Sequence, residues 1–342
     1  MSTVNYQMST VKCQLSTVKC QLNMSLSEIK APIQDSFLLY QSTYNNVLNS
    51  ANPTLNILLE HTKQSQGKQM RPLLVLLTAG ICGGITQSTI HAAVALELLH
   101  AASLVHDDVV DDSDERRGMP SLKALFNNKV SILGGDYMLA TALDEAAKTE
   151  NVGVFKTLAN LGRQLSEGEI YQMENTKQKL FDENAYFNVI RHKTAALFAA
   201  CGKIGAITSK NTDMEKELRL TALGEQIGLC FQIKDDIFDF TPDAQTGKTA
   251  CKDLLEGKIT LPLIYVYNNS DTTVKTAILS AMDEGDVNYL QKAAWDMGGI
   301  DYAQKRLEAL QQRALDMVEV IPPSRYSTAI RAYIGYLSKR KF

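Results

Sequence analysis

The stretch TQSTIHAAVALELLHAASLVHDDVVD, Thr86 to Asp111, decides how this chain folds. Ala92, Ala93, Leu96, Leu99, Ala102, Ser103 and His106 recur at three- and four-residue steps, the period of a helix face. The run ends in Asp107-Asp108-Val109-Val110-Asp111, and the same form returns at Asp235-Asp236-Ile237-Phe238-Asp239 inside a second helix-like stretch. Positions four apart share a face, so Asp107 stacks over Asp111 and Asp235 over Asp239. Like charges at that spacing cost about 0.2–0.5 kcal/mol per pair. A solvated acidic face would intersperse Lys or Arg, and these clusters do not. Carboxylates grouped in this way suit a hard divalent cation; magnesium takes one or two carboxylates and fills its remaining positions with water and substrate phosphate.

Helical spacing extends outward in both directions. Met70 to Cys82 is apolar and stops at Gly83-Gly84. Asn128 to Lys148, Val152 to Met173, Asp182 to Thr208, Asp213 to Phe240, Asp301 to Val320 and Tyr326 to Lys339 continue it, with Pro322-Pro323 as a break. Strict two-residue alternation is absent. The expectation is an all-α fold, a single-domain bundle of long helices around a central cavity, over residues 24–342. No linker demands a second domain. Residues 1–23 differ: three copies of a seven-residue unit begin at Ser2, Ser9 and Ser16. Ser-Thr-Val is poor helix material, so the repeat reads as a disordered leader, with Met24 as an alternative start.

Composition excludes several classes. The 342 residues are 45% hydrophobic and 21% charged, which is ordinary globular usage. A net charge of −3 gives no electrostatic case for nucleic acid. Six cysteines form no C-x-x-C pair, so reduced thiols are expected. Uninterrupted apolar runs fall short of the roughly 20 residues of a membrane span. No charged-then-apolar signal pattern opens the chain. The expected location is cytoplasmic. Lys339-Arg340-Lys341 reads as a solvated tail, with transient contact to an anionic membrane during product release as the alternative.

Fixed cations gather around the acidic motifs. Gly67-Lys68-Gln69-Met70-Arg71-Pro72 lies upstream, His100 seven residues before Asp107, and Arg116-Arg117-Gly118 just after Asp111. His192-Lys193-Thr194 sits mid-chain; Gln232 precedes the second motif, and Gly247-Lys248, Asp253 and Gly257-Lys258 follow it. Two Asp clusters with this many cations suit two diphosphates, one neutralised by metal and one clamped by Arg and Lys. Thr246-Gly247-Lys248-Thr249 is not a P-loop, because Pro242 stands where the first Gly belongs. Asp112 and Asp114 are not a calcium loop, because Arg116 and Arg117 occupy the ligand and Gly positions.

These motifs together resemble the trans-isoprenyl diphosphate synthases, the polyprenyl synthetase family, from about Gly67 to Leu263. The resemblance implies an isoprenoid-synthase-type fold and a magnesium-dependent condensation of isopentenyl diphosphate with an allylic diphosphate. It implies about three magnesium ions per site, held by Asp107, Asp111, Asp235 and Asp239, with Asp108 and Asp236 as supporting or additional ligands. Arg116, Lys193, Thr194, Gln232, Lys248 and Lys258 would hold the allylic diphosphate or its surroundings; Lys68, Arg71, His100 and Arg117 would bind isopentenyl diphosphate. Asp107, Asp111, Arg116, Lys193, Asp235 and Lys258 carry the catalytic assignment, and a homodimer is implied. Gln69 departs from the family's usual Gly-Lys-Arg step, which would weaken the isopentenyl site slightly.

Product length is the remaining question. Ala102 and Ser103 lie five and four residues before Asp107, where short-chain relatives place a bulky residue; Leu99 is a moderate obstacle deeper down. A helix rises about 5.4 Å per turn, close to one extended isoprene unit, so small residues there imply a long product of about thirty to fifty carbons, as in octaprenyl-type synthases making quinone side chains. Tyr137, Met138 and Phe155 are candidates for the floor. The alternatives are a farnesyl or geranylgeranyl synthase, a non-catalytic subunit of a heteromeric synthase, and a terpene cyclase. The last two are disfavoured by two complete Asp motifs beside Lys68 and Arg71.

Overall fold

The computed structural model describes residues 24–241 and 252–339. Its helices, in chain order, are α1 (Leu26–Lys30), α2 (Gln34–Val47), α3 (Pro53–Gln64), α4 (Met70–Ile81), α5 (Gln87–Val110), α6 (Leu122–Leu125), α7 (Asn128–Ala147), α8 (Val152–Gln178) and α9 (Glu183–Ile190). They continue with α10 (Ala196–Ile207), α11 (Met214–Asp239), α12 (Lys252–Leu255), α13 (Leu261–Asn268), α14 (Thr272–Glu284), α15 (Val287–Asp296), α16 (Gly299–Glu319) and α17 (Arg325–Lys339). The fold is all-α, as expected. Among the described residues the one strand pairing is β1 (Glu115–Arg116) against β2 (Met119–Pro120), an antiparallel ribbon.

Two expected helices are corrected. The run from Val152 continues past Met173 to Gln178, and the run from Asp182 to Thr208 is interrupted by a π-helical turn at Arg191–Ala195. The leader, Lys248 and residues 340–342 of the basic tail lie outside the described residues.

Contacts divide the chain into two compact units. Among the described residues the first takes 24–162, 197–224 and 318–336; the second takes 163–196, 225–241, 252–317 and 337–339. In the first, α5 is the central element. Thr86 caps it, accepting from the Thr89 N–H while the Thr89 hydroxyl accepts from the Thr86 N–H. The helix is apolar on nearly every face, with Ala92, Ala93, Leu96 and Leu98 fully buried, as a core helix should be. By length and composition it could also cross a membrane, but 67% of its apolar window is buried inside the protein, chiefly against α7 and α4. Each large apolar side chain so buried contributes about 1.5–3 kcal/mol. The core of the second unit gathers Tyr186, Ile233, Ile237, Phe240, Leu261 and Ile264, so α11 and α13 share it.

Close approach fixes the end of α5. A Cβ on Gly135 of α7 would stand 2.3 Å from Nε2 of His106, which itself lies 3.2 Å from the Ile132 carbonyl. Glycine therefore lets the two helices meet just before the first Asp motif. Gly135→Val is expected to destabilise the protein by about 1–3 kcal/mol through overpacking. Urea unfolding checks this; an unchanged midpoint would mean that the His106 ring is not held against Gly135.

Candidate active site

In the first unit, α5 delivers the first Asp motif. Asp111 is its C-cap residue, and the Asp111 N–H donates to the Asp107 carbonyl at 2.8 Å. Asp107 and Asp111 are half-buried, whereas Asp108 is buried. Arg116 grips Asp108, with Nη2 at 2.6 Å and Nε at 2.7 Å from Oδ1. The ribbon that supplies Arg116 turns through Arg117 and Gly118, at φ 55° and 75°. Two central residues at positive φ make a mirror-image turn that matches strand twist, and Gly at the second position removes a Cβ penalty. The turn sends neighbouring arginines to different partners: Arg116 to Asp108, and Arg117 Nη1 to the Ser65 carbonyl at 3.0 Å.

A cavity of about 60 Å³ lies beside this motif, walled by Tyr44, Glu97, His100, Asp108, Arg116 and Arg117. His100 is buried, and its Nε2 has no hydrogen-bond partner. Burial holds its pKa well below the usual imidazole range, and Arg71, Arg117 and Arg116 push the same way, so the ring is neutral near pH 7. A neutral ring with an unsatisfied nitrogen, set among guanidinium groups, suits an anionic ligand that accepts a hydrogen bond. Glu97, one turn earlier, is raised by burial and partly offset by Arg71 and Arg117. Arg71 stacks on Phe198, 5.0 Å from the ring centre, and Lys68 is exposed in the loop before α4. Gln69 is buried and accepts from Gln41 Nε2 at 2.8 Å, so the residue that departs from the family step is taken up by α2.

The chain-length positions also sit on α5. Ser103 and Leu99 continue the Asp107–Asp111 row at four-residue steps, while Ala102, 2% exposed, belongs to the adjacent row. The Ser103 hydroxyl donates to the His100 carbonyl at 2.9 Å.

In the second unit a cavity of about 160 Å³ is lined by Lys193, Thr194, Gln232, Asp236, Asp253 and Lys258, among others. The π turn carries Lys193 and Thr194, a local widening of the helix that recurs at functional sites. Lys193 pairs with Glu169 and reaches Gln172 Oε1 at 3.3 Å. Thr194 Oγ1 donates to Gln232 Oε1 at 2.6 Å, and Gln232 Nε2 donates to Asp236 Oδ1 at 2.8 Å. The Tyr186 hydroxyl donates to the other Asp236 oxygen. Burial, with Asp253 nearby, pushes the Asp236 carboxyl up to about 7 against the lowering effect of these two hydrogen bonds. Asp235 and Asp239 are half-buried; Asp239 Oδ2 accepts from the Asp253 N–H at 3.2 Å. Lys258 pairs with Glu256 and lies 3.7 Å from Asp253.

Among the described residues no three His, Cys, Asp or Glu side chains already converge as a metal centre. The donor set nevertheless fits magnesium. In the first unit the half-buried Asp107 and Asp111, and in the second unit the half-buried Asp235 and Asp239, each offer a pair of hard oxygen ligands, and this ion draws its other ligands from water and phosphate. The structure thus gathers His100, Arg116 and Arg117 around one cavity and Lys193, Thr194, Gln232 and Lys258 around another. Sequence reading passed over Tyr186, Glu169 and Glu97. Tyr186 meets Asp236 from fifty residues away, and no local pattern announces such a pair.

A family model described as polyprenyl synthetase matches residues 52–295. The chain belongs to the polyprenyl synthetase family. It is 34% identical over 310 residues to an all-trans-nonaprenyl-diphosphate synthase of Rhodobacter capsulatus, covering 89% of this chain and 94% of that one. It is 33% identical to an octaprenyl diphosphate synthase of Haemophilus influenzae, over 92% of this chain and 97% of that one. Among solved structures, the geranylgeranyl pyrophosphate synthase of Bacteroides thetaiotaomicron superposes with a TM-score of 0.79 at 40% identity, covering 92% and 99% of the two chains. The Caulobacter crescentus polyprenyl synthase, solved with calcium and isoprenyl diphosphate, gives a TM-score of 0.87 at 27% identity, covering 92% and 98%. The protein is a polyprenyl-synthetase-family prenyltransferase.

Within this prenyltransferase the Asp108–Arg116 pair is expected to matter for stability. Asp108→Ala should cost about 2–3 kcal/mol, below the roughly 3–5 of a fully buried pair because a third of the Arg116 side chain meets solvent. Urea unfolding measures it; a loss under about 0.5 kcal/mol, the range of an ordinary surface change, would contradict the assignment.

Proposed function

We propose that this protein condenses isopentenyl diphosphate with an allylic diphosphate to make a long-chain all-trans polyprenyl diphosphate of about thirty to fifty carbons, one isoprene unit being close to one helical turn. The observation that carries this reading is the repeated form of the two motifs. Each holds its middle Asp on protein partners and leaves its outer two half-buried. Asp107, Asp111, Asp235 and Asp239 are the proposed magnesium ligands, and Asp108 and Asp236 are assigned to holding the motifs in place. Magnesium, when bound, neutralises the departing pyrophosphate and so eases rupture of the allylic carbon–oxygen bond.

The remaining work falls to the chain. Arg116, Lys193 and Lys258, with Lys248 by sequence, carry fixed positive charge for the allylic diphosphate; Thr194 and Gln232 orient around it. Lys68, Arg71, His100 and Arg117 bind isopentenyl diphosphate, whose double bond attacks the allyl cation. The proton lost afterwards is assigned to the released pyrophosphate. Exclusion of water protects the cation.

The small residues Ala102 and Ser103, together with the nonaprenyl and octaprenyl relatives, support a long product serving quinone side chains. A twenty-carbon product is the competing reading, supported by the 40% identical geranylgeranyl synthase. A homodimer is supported by exposed Ile132, Leu139 and Leu143, which line one face of α7 at helical spacing. Heptaprenyl diphosphate synthase component 2 of Geobacillus stearothermophilus, 37% identical, keeps a heteromeric partner as an alternative. The proposed location is cytoplasmic, with residues 24–342 as the catalytic domain and residues 1–23 as a leader.

Incubation with farnesyl diphosphate, labelled isopentenyl diphosphate and magnesium should move label into a chain; no incorporation would overturn the reading. Asp107→Ala and Asp235→Ala should each cut turnover by orders of magnitude, and a near-wild-type rate in either would refute the metal assignment. Ser103→Phe should shorten the product to about fifteen or twenty carbons with activity kept, by filling a level one turn below Asp107. Unchanged length on thin-layer chromatography would remove Ser103 from the chain pocket.

A further inference from the structure

Lys68 lies in the loop before α4 and Arg71 in the first turn of that helix; within the loop Gln69 Nε2 donates to Gln66 Oε1. Gln69, the N-cap of α4, lies in the left-handed region at φ 53°, and no side chain caps the helix N-terminus. Lys68 and Arg71 add two positive charges at the helix end whose dipole is already positive, and Glu97 is close enough to interact with Arg71. Beyond the Gln69 contacts, two further supports come from a distant helix.

The last helix of the first unit provides them. α17 lies along α4 so closely that a Cβ on Gly80 would fall 2.4 Å from the Tyr326 ring. Nearer the loop, Tyr333 is fully buried and its hydroxyl donates to the Met70 carbonyl at 3.0 Å. One helical step on, Tyr336 is half-buried and places its ring 5.7 Å from Lys68 Nζ, within reach of a cation–π interaction. Met70 and Lys68 thus each have an aromatic partner on the same face of one helix. Among the described residues the Tyr336 hydroxyl makes no hydrogen bond, and a Leu would fill a half-buried helical position equally well if packing were all that mattered.

We infer that Tyr336 is a positioning residue for the isopentenyl diphosphate site: its ring aims the Lys68 ammonium at the diphosphate, while Tyr333 anchors the first turn of α4 beneath it. This rests on reading Lys68 and Arg71 as that site. The aromatic face holds an exposed, flexible lysine in one direction before the substrate binds, so less side-chain freedom is lost on binding. The ring acts through Lys68 and touches neither reacting carbon.

The test compares Tyr336→Leu, Tyr336→Phe and Lys68→Ala in the full chain, with Tyr333→Phe as a second probe of the anchor. Tyr336→Leu should raise KM for isopentenyl diphosphate about two- to fivefold, as loss of an exposed cation–π contact implies, with kcat and the allylic KM within about twofold of wild type. Tyr336→Phe, which keeps the ring, should restore the wild-type KM. Calorimetric titration with isopentenyl diphosphate alone, where no reaction occurs, should show the same order of affinities. A Tyr336→Phe that behaves like Tyr336→Leu, or a Tyr336→Leu that leaves KM unchanged while Lys68→Ala raises it, overturns the inference alone. A Lys68→Ala variant with wild-type KM overturns the site reading and the inference with it.

Discussion

Carboxylates one helical turn apart repel, and this chain places such a pair at the end of α5 and another at the end of α11. In both motifs the middle Asp is drawn into the protein and satisfied there. Arg116 neutralises Asp108 with a charged fork, whereas Asp236 receives two uncharged donors, Tyr186 and Gln232. The difference has an electrostatic consequence. Asp108 stays beside a full positive charge, while the Asp236 carboxyl is pushed up to about 7 by burial and by Asp253. A raised carboxyl contributes stability that is complete below its unfolded value and is lost as pH rises through about 7, so the second unit loses stability as Asp236 ionises. In the proposed function a bound cation relieves that cost, as it relieves the repulsion between the outer carboxylates.

Cation placement follows the same logic in each unit. Arg116 and Arg117 reach different partners, Asp108 and the Ser65 carbonyl, from a turn whose central residues, Arg117 and Gly118, adopt positive φ. Lys193 and Thr194 are presented by a π turn, which displaces them relative to a regular helix. Irregular backbone therefore appears where charged side chains have to be aimed, while the long helices around it are regular and well packed. The neutral His100 among three arginines belongs to this pattern: burial removes its charge but leaves its hydrogen-bonding nitrogen for a ligand.

Much of this was legible beforehand, and the reasons are physical. Helix α5 was readable to within a residue at both ends because Thr86 is a capping residue and the Asp motif terminates the apolar run. The Asp and Lys motifs were readable because residues that act on one ligand type recur at short fixed spacing. The π turn at Arg191–Ala195 was not, since its composition is that of an ordinary helix and only the hydrogen-bond pattern distinguishes it. Tyr186, Glu169 and Tyr333 were missed for a different reason: each acts across a large sequence separation, on Asp236, Lys193 and Met70 respectively. Which half-buried side chain receives a long-range partner is decided by packing, and a single sequence does not carry it.

In the proposed function the outer carboxylates of each motif bind a diphosphate only through a cation shared with it. Calorimetric titration with an unreactive allylic thiodiphosphate, run with magnesium and again after chelation, addresses this directly. The account expects tight binding with magnesium and a loss of at least about a hundredfold without it, equivalent to roughly 2.7 kcal/mol. Equal affinity in the two titrations would contradict it.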